Sequence, residues 1–351
     1  MTYTVDESIT TTTSATTLDD VLSELADRRD EFQRLGYVPR DFVDRLIAIG
    51  IYRSATPEAF GGSPERPADF LRTIEKISVI DASTGWVASF GCQLVYLGTL
   101  PAQTLAELFA EGPDVVFAGA LFPVQHAEPT ETGFVVDGRW KFGSGSMGAD
   151  VICVGIPGDD SIDGEPRGAL LRAADVEIVQ DWDVLGMKAS GSFDLVVHSV
   201  EVPREWTFIR GGEPSLDEPL YCYPAITYAA QSLAVTSAGV ARAALDHALK
   251  VGAGVAGVTG APELADRAYY RAGIAQAEAQ LRSGAPTSSR LPRRPGTLPW
   301  SARSATSSTR TCGCRPLAWL ARCVLVGRRR GHDLTVRVRE AARNGHNAGA
   351  R

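Results

Sequence analysis

The hydrophobic period of the chain changes twice, and these two changes limit the fold more than any other feature. From Asp19 to Leu35 the apolar residues Val21, Leu22, Leu25, Phe32 and Leu35 recur at helical spacing opposite a charged face. Pro39 opens a second helix, Asp41 to Ile49, which Gly50 ends. Tyr52 to Pro67 is loop, and Ala68 to Val79, Thr84 to Leu97 and a short Leu105 to Ala110 follow as helices. At Asp114 the spacing becomes that of strands. Val115 to Phe117, Val151 to Ile156, Gly168 to Leu171, Val176 to Asp181 and Phe193 to Val202 are short apolar runs between turn signals, as in a sandwich or barrel. Asp137-Gly138 predicts a two-residue hairpin joining Phe134–Val136 to Arg139–Phe142. After Pro214 the helical period returns, over Tyr221 to Val251 and Pro262 to Leu281.

The expected organisation is multi-domain α and β. It comprises a disordered lead-in (1–17), an N-terminal helical domain (18–112), a central β-barrel (113–213), a C-terminal helical segment (214–283) and an aberrant tail (284–351). The Thr-rich start has no apolar stretch of a signal peptide, and no run is long enough to span a bilayer, so a cytoplasmic protein without membrane contact is expected. Cys312-Gly313-Cys314 is too tight for a zinc pair, and no metal is expected.

Charge divides the chain sharply. Gly284 to Arg351 holds 14 Arg, no Lys and two acids, Asp333 and Glu340, a balance of +12 within a chain of net charge −7. The tail also lacks Ile, Phe, Tyr, Met and Gln. Arms that bind nucleic acid mix Lys with Arg and interleave aromatics, so no nucleic-acid partner is expected. Out-of-frame translation of a G+C-rich gene produces this composition. The run Gly284 to Arg290 can be encoded so that a start two nucleotides later reads Arg-Ala-Tyr-Leu-Phe-Ala, a continuation of the preceding helix.

Four local runs carry a resemblance. They are Leu46 to Arg53 followed by Pro57 and Phe60-Gly61-Gly62, then Asp81-Ala82-Ser83-Thr84-Gly85-Trp86, then Gly138 to Gly145, and Leu185 to Ser192 running on to Pro203. Together they resemble the acyl-CoA dehydrogenase superfamily over about residues 20 to 283. The second and third are similar to its flavin-dependent, two-component monooxygenase branch. The fatty-acyl branch carries a Thr-Glu-Pro-x-Ala-Gly-Ser-Asp-like run where this chain has Ala118-Gly119-Ala120-Leu121-Phe122-Pro123, a departure that favours the monooxygenases.

The resemblance implies helices, barrel and a C-terminal helical bundle, here incomplete. It implies reduced FMN or FAD, a separate flavin reductase, O2 and a small, aromatic substrate. The family is homo-oligomeric, but this tail would not supply the closing helices. An acyl-CoA dehydrogenase proper and an inactive frameshifted remnant are the alternatives. Such a site needs a hydrogen-bond partner for flavin N5 and an enclosure that excludes water. Ser144 is assigned the first role, because a hydroxyl both donates and accepts and its flanking glycines permit close approach. Taken from the residues alone, a Ser in a Gly-rich loop is a turn residue. Trp140, Gly145, Ser190 and Ser192 are the further cofactor candidates, and Trp86 and His126 the substrate candidates. For Ser190 and Ser192 a self-bonded loop is an equal reading, and for either Trp a buried structural role is the commoner fate. The catalytic His or Glu of the family's C-terminal region is not transferred to His332 or His346, because the tail matches no family motif.

Overall fold

The computed structural model describes residues 16–158, 165–253 and 263–284. The start of the lead-in and the Arg-rich segment after Gly284 lie outside the described residues. Helix α1, Leu18–Leu35, begins in a capping box: Thr17 Oγ1 accepts the Asp20 N–H, and the Asp20 carboxylate accepts the Thr17 N–H at 2.9 Å. Gly36, at φ 80°, ends it in the left-handed region. Helix α2 spans Arg40–Ala48, α3 Pro67–Ile80 with Pro at its first turn, and α5 Ala102–Leu108. The single helix expected over Thr84 to Leu97 is instead α4, Ala82–Ala88, followed by a 3-10 stretch, Ser89–Thr99. The tighter winding brings Gly91 against the backbone of Ile51, where a Cβ would stand 2.6 Å from the carbonyl oxygen.

The strands are β1 (Phe117–Ala120), β2 (Ala127–Pro129), β3 (Gly133–Gly143), β4 (Val151–Ile156), β5 (Arg167–Arg172), β6 (Glu177–Val179), β7 (Phe193–Pro203) and β8 (Thr207–Ile209). They form two four-stranded sheets, ordered β1-β4-β5-β8 and β2-β3-β7-β6, over the segment expected to be a β-barrel. Edge strands β2, β6 and β8 are three residues each, too short to carry a ladder around a closure. Among the described residues only β1 and β4 pair in parallel.

The expected hairpin at Asp137-Gly138 is absent. β3 runs straight through both residues beside β7, with a register shift between Val136 and Gly138. Asp137 accepts both the N–H and the hydroxyl of Ser199, which lies at φ 49°. The Asp-Gly pair lies opposite a bulge on β7, whose extra residue falls at His198–Ser199, instead of forming a turn.

Burial along β4 explains the layering. All six of its residues are buried. Val151 and Cys153 join the core made with the helices, while Ile152, Val154 and Ile156 join a second core with Phe134, Val136, Trp140, Leu195 and Val197 of the other sheet. The first sheet is thus a middle layer between helices and the second sheet, which is why β4 reads as a continuous apolar run and β3 as an alternating one.

Helix α6, Ala225–Ala253, packs on α3 at small residues: a Cβ on Gly239 would stand 2.5 Å from Ser78 Cβ. Helix α7, Ala268–Gly284, buries none of its residues and is held to α6 by Arg242 on Glu278 at 2.6 Å. Ile226, Val240, Leu249, Val251 and Tyr269 are exposed on this pair. Among the described residues no helix is long and apolar enough to cross a membrane.

Candidate active site

Two loops that are distant in sequence cross at the end of the second sheet. The first leaves β3 at Gly143, passes Ser144 and Gly145, and enters a 3-10 turn, Ser146–Gly148. The second runs through Lys188 to Ser192 into β7. Left-handed backbone at Gly145 (φ 74°) and Gly191 (φ 53°) makes the crossing possible. Each is also tightly packed: a Cβ on Gly145 would meet Val87 at 3.1 Å, and one on Gly191 would meet Tyr37 Cβ at 2.8 Å. The Gly145 N–H donates to the Ser190 carbonyl at 2.9 Å, fastening one loop to the other.

This crossing gathers three hydroxyls. Ser144 Oγ lies 2.6 Å from Ser192 Oγ, and Ser192 Oγ lies 2.8 Å from Ser190 Oγ. All three are buried, as is Ser146, whose hydroxyl has no hydrogen-bond partner. Three hydroxyls carry three protons, and their two mutual bonds use two. One proton and several lone pairs are left for a ligand, and the orphaned Ser146 Oγ adds another donor and acceptor. The spare proton and lone pairs suit a polar ligand that both donates and accepts.

The surroundings brace both loops. The Asp81 carboxylate caps α4 by accepting the Thr84 N–H at 2.7 Å, and α4 presents Val87 to Gly145. Arg40 donates to the Gly148 carbonyl at 2.9 Å and to Asp150 at 2.6 Å, tying α2 to the turn after Ser146. Arg139 bridges Asp194 at 2.6 Å and Asp181 at 3.0 Å. Burial opposes the charge on Asp181, but its hydrogen bonds to Asp194 and Arg139 outweigh that and hold its carboxyl below the ordinary aspartate range.

Of the residues singled out from sequence, Ser144, Gly145, Ser190 and Ser192 lie together. Trp86 is half-buried one residue from Val87, with its ring edge-on to Phe90 at 5.9 Å. Trp140, expected beside a flavin, is instead fully buried between the sheets and donates its indole N–H to the Gly155 carbonyl at 2.8 Å. Its ring has no open face. His126 is exposed in the loop before β2, and its carbonyl accepts the Asp137 N–H. Asp137 stands seven residues along β3 from Ser144, roughly 20 Å at a strand's rise, so His126 is remote from the hydroxyls. His126→Ala is expected to leave flavin affinity and turnover within about twofold of the parent, as befits an exposed side chain away from any special feature. A tenfold loss in a titration or a rate assay would restore it to the site.

Phe142 was missed. Period two predicts that it faces inward with Trp140, but a second register shift, between Trp140 and Gly143, turns it out. It sits at φ 67°, is 61% exposed, and meets Trp182 edge-on at 6.0 Å. This aromatic pair flanks the loop that carries Ser144. Nothing in the apolar pattern could reveal it, since a bulge breaks the period on which that pattern depends.

No family model matches the chain. The chain is similar to an indole-3-acetate monooxygenase of Pseudomonas putida, with 48% identity over 73% of this chain and 66% of that protein. It is 45% identical to an indole-3-acetate monooxygenase of Acinetobacter baumannii, over 77% of this chain and 70% of that one. The chain therefore matches about two thirds of the length of these relatives. Among solved structures it is similar to 3-HSA hydroxylase from Rhodococcus sp. RHA1, with a TM-score of 0.68 and 25% identity, covering 76% of this chain and 71% of that one.

Proposed function

We propose, on the premise that the chain belongs to the family of two-component flavin-dependent monooxygenases with the acyl-CoA dehydrogenase-like fold, that it hydroxylates a small aromatic acid of the indole-3-acetate kind. The observation that carries this is the buried hydroxyl trio, with its one spare proton, beside the orphaned Ser146 and the pair of exposed Phe142 and half-buried Trp182. These features suit reduced FMN or FAD. When bound, the reduced flavin supplies the two electrons that activate O2.

The residues of this chain do the rest. Ser144 would hydrogen-bond flavin N5, Gly145 lets the ring approach the backbone, and Ser190 and Ser192 hold the Ser144 hydroxyl in place. Phe142 and Trp182 would offer an apolar flank to a ring bound beside them, which would cover Phe142 in turn. Trp86, on the capped α4, would line the substrate side. A separate flavin reductase would deliver the reduced cofactor, as in the family. The indole-3-acetate monooxygenases among its relatives support an aromatic carboxylate as substrate. We also infer that the segment after Ser283 arises from a reading-frame slip, a reading supported by its Arg-rich, Lys-free composition and by relatives that match 73% and 77% of the chain.

The test is turnover with a purified flavin reductase, NADH, FMN or FAD, and indole-3-acetate. The expected result is substrate-stimulated O2 uptake with a product heavier by one oxygen atom in mass spectrometry. Reduction of an artificial acceptor by an acyl-CoA thioester, with no oxygenated product, would instead make it a dehydrogenase.

A further inference from the structure

We infer that Ser192 is a positioning residue that lets Ser144 present either a proton or a lone pair to the cofactor, and so sets which redox form of the flavin binds more tightly. The inference rests on the proposal that a flavin lies beside Ser144. It goes beyond it by assigning Ser192 a task that is not contact with the ring.

The three hydroxyls form a linear chain with Ser192 in the middle, 2.6 Å from Ser144 and 2.8 Å from Ser190. A linear chain of hydroxyls can be ordered in two senses, and both keep its two internal bonds. In the outward sense Ser190 donates to Ser192, Ser192 donates to Ser144, and the Ser144 proton is free to be given to a ligand. In the inward sense Ser144 donates to Ser192, Ser192 donates to Ser190, and Ser144 offers a lone pair. No atom leaves its oxygen. The hydroxyls only rotate. Burial of all three makes an unpaired proton here expensive, which gives the order its force.

The two redox forms of a flavin ask for opposite senses. Oxidised N5 bears no proton and accepts, so it selects the outward sense. Reduced N5 bears a proton and donates, so it selects the inward one. Ser192→Ala removes the acceptor that the inward sense needs and strands the Ser144 proton when reduced flavin is bound. With oxidised flavin, Ser144 still donates outward and loses only a donor to one lone pair, the milder fault.

The experiment is anaerobic titration of the full chain with reduced and with oxidised FMN and FAD, for the parent, Ser192→Ala, Ser192→Thr and Ser190→Ala. For Ser192→Ala the ratio of reduced to oxidised Kd is expected to rise about tenfold, which lowers the midpoint potential of the bound flavin by about 30 mV. Ser192→Thr keeps a hydroxyl and should restore the parental ratio. Ser190→Ala should move the ratio in the same direction, and it serves as the second reading where Ser192→Ala does not fold. A merely structural role would weaken both forms equally, and an unchanged ratio in variants that still bind flavin would overturn the inference while leaving the proposed function intact. A parent chain that binds neither form of either flavin would overturn both.

Discussion

Ser144→Ala is expected to cut hydroxylated product per O2 consumed by about tenfold or more, with the missing oxygen appearing as hydrogen peroxide. The magnitude follows from deleting a hydrogen bond in a buried polar site, about 1.5–3 kcal/mol when a charged or strongly polarised group is involved, of which 1.36 kcal/mol is already a factor of ten. The hydroxyl is buried, bonded to Ser192 and carried on a loop fastened to Ser190, so the substitution leaves Gly145 and its cross-loop bond in place. Paired oxygen-electrode and peroxide assays, with the product quantified by chromatography, give the ratio directly. Coupling equal to that of the parent would reduce Ser144 to a turn residue.

Trp140→Ala is expected to destabilise the fold by about 3–5 kcal/mol, the usual cost of emptying a buried Trp site. The side chain is fully buried between the two sheets, and its indole N–H shares the Gly155 carbonyl with the Gln125 N–H. Urea denaturation of both proteins measures the difference. Trp140→Phe separates the two roles considered for this residue. It gives up the indole hydrogen bond and some volume but keeps a ring, so it should lose stability while retaining flavin affinity. A loss of affinity without a loss of stability would return Trp140 to the cofactor.

Much of the fold is legible in local pattern because local physics decides it. Pro39 marks the start of α2 to within a residue, and β4 is found at its full extent because an uninterrupted apolar run bounded by turns has few alternatives. The errors arise where long-range pairing overrides a local signal. Asp137-Gly138 has hairpin chemistry, yet β7 is long enough to pair on both sides of it and takes up the mismatch in a bulge of its own at His198–Ser199. The same strand misleads about the site, because the shift after Trp140 reverses which aromatic faces outward. The serines were identifiable through the resemblance of their two runs. Their contact with one another was not, because it depends on the register of β3 against β7.

That register has a consequence for the order in which a binding-competent molecule arises. Ser144 and Ser192 are brought together by strands whose first paired residues, Gly133 and Pro203, are far apart in the chain. Contacts between such distant segments form late, because the intervening loop must be closed before anything rewards it. A chain with its helices formed but β3 and β7 unpaired therefore lacks the contact between Ser144 and Ser192, and a ligand that needs both loops is recognised only after that long-range pairing is complete. Binding then acts back on that population by mass action: at a ligand concentration a hundredfold above Kd the folded form gains about 2.7 kcal/mol. A ligand held by both loops thus shifts the balance toward the molecules in which those loops have met.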